Sequence, residues 1–430
     1  MIRLSTRDPG FEPAFAGLLE QTRATTSEVG AAVAAIIAHV RAEGDAALCA
    51  LTYRFDGLKL APAALRITGA EIEEAASSVS PELAAALDVA ARRIEAFHRA
   101  QLPADFDTTD SEGLRLGLRW TPLASVGLYV PGGKAAYPSS VLMNAIPARV
   151  AGVPRLAMCV PTPGGVLNPL VLAAARRAGV EEIYRVGGAQ AVAALAWGTE
   201  SIAPVDRIVG PGNAYVAEAK RQVFGRVGID AIAGPSEVVV IADQGQDPAR
   251  IAADLLAQAE HDESAQAILI TDSVALADAT AAAVASLLPT LPRAAIAQAS
   301  WEHFGAIVVV RGLEEAAALA DRLAPEHLEI MTADPAGLFA RIRNAGAAFL
   351  GASCPEALGD YVAGPNHVLP TGRTARFASG LSVFDFLKRT TWIAGDDAAL
   401  ARLGPAAVAL AEAEGLSAHA HSIRVRLGNR

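Results

Sequence analysis

Leu123-Ala-Ser-Val-Gly-Leu-Tyr-Val-Pro-Gly-Gly133 sets the pattern on which the fold is read. An apolar run of strand length, residues 126–130, passes straight into a Pro-Gly-Gly turn with no polar alternation. A strand that is apolar on both faces is buried on both, as in a parallel sheet covered by helices. The same unit recurs downstream. Leu156-Ala-Met-Cys-Val160, Ile183-Tyr-Arg-Val186 and Arg207-Ile-Val209 read as buried strands, with Ala-rich helical stretches at 169–178 and 189–197 between them. A second alternating region follows, with strands at 238–242, 267–271, 306–310, 327–331 and 347–350 and helices at 251–260, 274–288 and 313–323. Two α/β units of similar rhythm are expected.

The flanks differ. Residues 1–100 look helical: 31–51 carries apolar residues at helical spacing, and Ser80-Pro81-Glu82 opens a helix through Phe97, with Ser as the cap and Pro in the first turn. The chain returns to helix at 398–414 and ends in a strand-like tail, Ser422-Ile-Arg-Val-Arg-Leu427. A length of 430 residues exceeds one ordinary core, and 52% hydrophobic with 19% charged residues is the composition of a well-buried globular protein. The net charge of −10, with no basic block, argues against nucleic acid as the main partner. Cys49, Cys159 and Cys354 form no CxxC pair, which fits a reducing compartment. The first residues lack a signal-peptide core, and no apolar run reaches the roughly 20 residues of a membrane helix. A soluble, cytoplasmic protein is expected.

Several common motifs are absent: no GxGxxG, HExxH or GxSxG occurs. Pro131-Gly-Gly-Lys134 resembles a phosphate loop only superficially, because Ala135 stands where a hydroxyl would meet magnesium. Three Gly-rich turns nevertheless follow apparent strands: Pro131-Gly-Gly133, Gly187-Gly-Ala-Gln190 and Gly210-Pro-Gly-Asn213. Ligands of open α/β sheets bind at such places. Ordinary turn chemistry explains any one of them equally well. All three together, two ending in an amide, point to a nucleotide or other polyhydroxyl ligand, with Tyr129 placed to stack on a ring.

Polar islands supply the chemistry. In Ala357-Leu-Gly-Asp-Tyr-Val-Ala-Gly-Pro-Asn-His-Val-Leu-Pro-Thr371, Gly364-Pro365 and Pro370 interrupt regular structure around Asp360, Asn366 and His367. Gln258 and His261 are three apart near a helix end, on one face and within reach of a common ion. Alone, such a pair is more often a solvated helix end. Asp360, His367 and His419 shift the balance toward a metal site of imidazole and oxygen ligands, which suits zinc or a neighbouring divalent ion. Spacing does not decide which of them converge. Glu326-His327 follows Pro325 at the mouth of a strand. Adjacent strand residues face opposite ways, so both reach one substrate only if Glu326 sits on the turn itself. The functional reading is a general acid/base pair; the structural one is a strand-capping salt link. No cysteine has a His or basic neighbour that would make it a nucleophile.

With these residues in view, the chain closely resembles the histidinol dehydrogenases from about residue 25 to the end. The resemblance rests on Val126–Gly133, Val186-Gly-Gly-Ala-Gln-Ala191, Gly210-Pro-Gly-Asn-Ala214, Ala233-Gly-Pro-Ser-Glu-Val238, Gln258-Ala-Glu-His261, Pro325-Glu-His-Leu328, Leu358–Thr371 and Glu414-Gly-Leu-Ser-Ala-His419, in that order. It implies two Rossmann-like parallel-sheet domains with a helical N-terminal arm and a small C-terminal helical tail. The expected division is an arm at 1–24, a catalytic α/β domain at 25–125 plus 237–381, an NAD-side domain at 126–236, and a tail at 382–430. The implied activity is oxidation of L-histidinol through histidinal to L-histidine with two NAD and one Zn2+ per subunit. Gln258, His261, Asp360 and His419 would be the metal ligands, and Glu326 and His327 the acid/base pair. Ser236, His367 and Glu414 would join His327 and the ligands around the substrate. Tyr129, Gln190 and Asn213 would meet NAD. The family also implies an intertwined homodimer, in which the tail carrying Glu414 and His419 completes the partner's site.

The implied chemistry begins with His327 taking the alcohol proton. Glu326 then activates water to hydrate the aldehyde, and His327 takes the hydroxyl proton of the hydrate. A metal and NAD dehydrogenase of another small polyol, such as a sulfonated diol, is the nearest rival; Glu414 and His367 instead suit a cationic, imidazole-bearing substrate. A zinc hydrolase would turn over without nucleotide. A non-enzymatic α/β binding protein would have no use for Glu326 beside His327.

Overall fold

The structure is a computed structural model and describes residues 1–21, 29–132, 137–232 and 234–428. Gly133 and Lys134 of the phosphate-loop-like turn, Ala233, and the expected arm boundary after residue 24 lie outside the described residues. Strand β1 (Ile2–Ser5) opens the chain; β2 (Phe106–Thr109) and β3 (Arg115–Pro122) follow the helices of 30–99. The first α/β run holds β4 (Ser125–Tyr129), β5 (Arg155–Cys159), β6 (Glu182–Tyr184), β7 (Arg207–Val209) and β8 (Gly228–Ile229). The second holds β9 (Glu237–Ala242), β10 (Gln266–Thr271), β11 (Ala306–Val309), β12 (His327–Met331) and β13 (Ala347–Leu350), and β14 (Leu387–Ala394) leads into the tail.

Both runs form all-parallel sheets of one topology. The first is ordered β6-β5-β4-β7-β8 and the second β11-β10-β9-β12-β13, with β1 added beside β11. In each, the chain reverses direction next to its first strand, so β4/β7 and β9/β12 mark the two switch points. The central strands are as buried as their uninterrupted apolar runs require: every residue of β9 and β10 is buried. Helices begin where side chains can cap them. Ser80 accepts from Leu83 N ahead of Pro81, and Asn168, Asp247 and Ser273 cap the helices Pro169–Arg177, Pro248–Ala259 and Val274–Leu287.

Three features differ from the sequence reading. The amino terminus is not wholly helical, because Ile2–Ser5 adds a parallel strand to the edge left by β11. Four residues are too few for a periodicity signal. The tail is helical: residues 422–426 lie within Ser417–Arg426, and Leu427 is its cap. Ile423 and Leu427, read as alternate positions of a strand, are one helical turn apart, and both pack on Gly404 of the helix Asp397–Ala413. A third sheet, antiparallel β14-β3-β2, was not foreseen. Its strand β3, Arg115–Pro122, pairs across eight residues with β14 and is only partly buried, so it lacks the apolar run that marked the other strands.

Residues 30–99, grouped by sequence with 237–381, share both of their cores with the first sheet. Val33, Ile36 and Leu48 cluster with Tyr129, Val186 and Leu195, while Leu87 and Ile94 cluster with Val126, Leu142 and Leu156. No helix among the described residues is long and apolar enough to cross a membrane.

Candidate active site

His327 is the first residue of β12, so Glu326 lies on the turn before the strand, as the acid/base reading required. Both side chains are almost wholly buried, at 3% and 6% exposure. The turn is held closely: Ala347 N donates to Glu326 O at 2.9 Å, and Gly346 lies so near that a Cβ there would fall 2.6 Å from that oxygen. Glu326 Oε2 accepts from Glu237 N at 3.0 Å and stands 3.9 Å from His327 Nδ1. The same Nδ1 is 3.1 Å from the Glu237 carbonyl. A carbonyl only accepts, so Nδ1 carries the proton and Nε2 is the atom free for chemistry. Nε2 is buried without a hydrogen-bond partner and faces Asp360 Oδ1 at 3.6 Å.

A residue that sequence reasoning missed completes this group. Glu356 begins the short helix Glu356–Tyr361, is buried, and places Oε2 3.7 Å from His327 Nδ1. Glu329 Oε1 accepts from its backbone N–H at 2.6 Å. The signal was present: Glu356 and Asp360 are four apart, and on a helix that puts both carboxylates on one face. Burial works against an imidazolium at His327, but Glu326, Glu356 and Asp360 outweigh it and raise the group to about 10. Burial raises Glu326 to about 7, with His327 opposing, and raises Glu356 to about 8. Asp360 is held below its ordinary value: burial pushes it up, and His327, His367 and His261 more than offset that.

The irregular segment after Asp360 is fastened from two sides. His367 Nδ1 lies 2.9 Å from the Asp360 carbonyl, which again leaves Nε2 as the outward atom, 3.3 Å from Ser140 Oγ. Ser140 was not anticipated; it sits at the start of the helix Pro138–Val150, and on that helix Met143 O accepts from Asn366 Nδ2 at 2.6 Å. Arg93 holds the carbonyls of Val362 and Ala363. Thr371 Oγ1 accepts from Gly234 N, and Gly372 N donates to Glu237 Oε1, which ties the segment to the half-buried Ser236 region.

Gln258 and His261 do share one face, with Gln258 Nε2 3.2 Å from His261 Nδ1. Gln258 is fully buried and its Oε1 has no partner. His261 is at the open rim; the protein around it lowers its basicity, and Asp360 partly restores it. An orphaned amide oxygen, an imidazole and a carboxylate are the donor set of a divalent ion that prefers nitrogen and oxygen, so these residues fit the expected zinc. His419 and Glu414 are not brought to them. Both are exposed on the tail, and among the described residues no three His, Cys, Asp or Glu side chains gather as a metal shell.

The other Gly-rich turns lie at the carboxyl ends of the first sheet. Tyr129 offers no open face for stacking in this structure: it is 4% exposed, and its hydroxyl accepts from Gly188 N at 3.1 Å. Gln190 is buried on the helix Gly188–Trp197. Asn213 is exposed, and its Oδ1 caps the helix Ala214–Val223 through Tyr215 N and Val216 N.

The histidinol dehydrogenase family model matches residues 19–427. A histidinol dehydrogenase from Gluconobacter oxydans (strain 621H) is 67% identical over 427 residues, covering 99% of each chain. One from Cereibacter sphaeroides is 63% identical over 424 residues, covering 99% of this chain and 98% of the relative. The crystal structure of histidinol dehydrogenase from Elizabethkingia anophelis superposes with a TM-score of 0.95 at 36% identity, covering 100% of this chain and 98% of that one. The chain belongs to the histidinol dehydrogenase family of oxidoreductases.

Proposed function

We propose that this chain oxidises L-histidinol through histidinal to L-histidine with two NAD and a bound zinc ion. The observation that carries the reading is His327, whose Nδ1 is committed to the Glu237 carbonyl while Nε2 faces Asp360 without a partner. Zinc would be held by Gln258, His261 and Asp360, with His419 supplied by a partner subunit, and would supply positive charge that orients the amine and imidazole of histidinol. NAD, bound near Gln190 and Asn213, would accept the hydrides.

The chain's own residues do the rest. His327 Nε2 takes the alcohol proton as the carbon is oxidised, and later takes the hydroxyl proton of the hydrated aldehyde. At about 10 His327 is an imidazolium at neutral pH, so its service as a base requires that the carboxylate charge around it be offset. The substrate amine, and a cation held by Asp360, would provide that offset. Glu326 keeps one oxygen on Glu237 N and leaves the other to activate water. Ser236 and His367 would contact the substrate, and Glu414 of a second copy would pair with the amine.

A homodimer with shared sites follows from this reading: two ligating or binding residues lie on an exposed tail that does not reach the site of its own chain. The test is NADH released per histidinol. Two equivalents support the reading; turnover without nucleotide, or none with histidinol while zinc is bound, contradicts it.

A further inference from the structure

The first sheet carries a buried ion pair for which the proposed chemistry has no use. Lys220, on the helix Ala214–Val223, pairs with Asp230, just beyond β8, and their side chains are 3% and 5% exposed. A buried pair of this kind is weak support for stability, because desolvation consumes most of the attraction. Its placement is specific. Lys220 Nζ donates to the carbonyl of Gly210 at 3.1 Å, and Asp230 Oδ2 accepts from the N–H of the same residue at 2.7 Å. One glycine is thus gripped at both polar groups of its backbone.

Gly210 follows β7 directly, at the switch point of the sheet. Its φ of +116° is closed to other residues, and a Cβ would fall 2.0 Å from the Tyr129 carbonyl. Tyr129 in turn receives Gly188 N, so the turns after β4, β6 and β7 are linked through this point. Gly210 also opens the segment that ends in Asn213, whose position caps the following helix. We infer that Lys220 and Asp230 are positioning residues for NAD: they touch no ligand, but fix the peptide of Gly210 so that the turn to Asn213 is preformed for the dinucleotide. This rests on the reading that NAD binds at the carboxyl end of the first sheet. A preformed turn gives affinity by avoiding the cost of ordering it on binding.

The test is the NAD dissociation constant of the full-length, zinc-loaded protein, measured alongside KM for NAD, KM for histidinol and Tm. The double variant Lys220→Met/Asp230→Asn removes both charges at similar size. Its NAD dissociation constant and KM for NAD are expected to rise about tenfold or more, while KM for histidinol and kcat at saturating NAD stay within about twofold. A purely structural pair would lower Tm and leave NAD affinity alone, which overturns the proposal, as does a parallel loss for both substrates. Should the double variant not fold, Lys220→Leu/Asp230→Ser, which likewise leaves no lone buried charge, is read by the same criteria. Wild-type protein that binds no NAD would overturn the cofactor reading and this proposal together. Wild-type binding matched by the variants would overturn the proposal alone.

Discussion

At the scale of single residues, the site is organised by which atom of each side chain is already occupied. Glu237 presents its N–H to Glu326 and its carbonyl to His327, so one backbone residue orients both members of the acid/base pair. His327→Asn is expected to lower kcat by about 10²–10⁴ with zinc content unchanged, the usual contribution of a general base. Glu326→Gln should spare the first oxidation and slow the second, so that one NADH forms per histidinol and free aldehyde becomes trappable; equal slowing of both steps would contradict its role in activating water. His327 also has a defined titration. In metal-free protein its imidazole is held protonated to about 10, so its NMR resonances are expected to show no deprotonation step between pH 5 and 8, only the smaller shifts caused by Glu326 and Glu356 titrating beside it near 7 and 8. Zinc and histidinol add positive charge beside it and should bring the transition down toward neutrality. A free-imidazole transition in metal-free protein would contradict this.

Much of this was legible in the residues. Glu326-His327 after a proline, and Asp360 and His367 in an interrupted polar segment, stand out against an apolar chain. Ser140 did not, and Glu356 offered only its spacing of four from Asp360. Glu356 sits beside a cysteine and a proline in an unremarkable stretch, and Ser140 is one hydroxyl at a helix start. The packing of Glu356–Tyr361 and Pro138–Val150 against the site is what ties both to His327 and His367.

At the scale of elements, β12 and its neighbours bring the chemistry to the amino ends of the second sheet, while the Gly-rich turns sit at the carboxyl ends of the first. The long parallel strands were readable because burial on both faces removes every polar position. β1 was too short to show a period, and Ile423, Val425 and Leu427 fit a strand and a helix equally until Gly404 is seen beneath Ile423 and Leu427. The approach of β13 to the Glu326 turn depends on Gly346. Gly346→Ala is expected to cost roughly 1–3 kcal/mol in chemical denaturation, an overpacking penalty, and to lower kcat by displacing Glu326. Beneath the site, Asp254 and Glu329 share a buried environment that raises them to about 6 and about 9, burial being the main cause in both. The folded protein therefore keeps protons that the unfolded chain has already released, and its stability falls as pH rises from about 5 toward 9. Glu329→Gln should flatten that fall between pH 6 and pH 9; a denaturation midpoint with the wild-type pH dependence would contradict it.

At the scale of the whole molecule, the tail is the part that the single chain leaves unexplained. Its helices pack on each other, its strand β14 pairs with β3, and Glu414 and His419 remain exposed. Mixing inactive His327→Asn with inactive His419→Asn under conditions of subunit exchange is expected to restore about one quarter of wild-type activity, because half of random dimers carry one intact shared site. No recovery would place both residues in the site of one chain. The most direct measurement of all is NADH formed per L-histidinol by the purified protein as isolated, after stripping with a chelator, and after zinc is restored. Two NADH per histidinol, lost with the chelator and regained with zinc, is the expected result. Zinc-loaded protein that binds NAD yet leaves histidinol unoxidised would contradict the proposed function while leaving the fold and family intact.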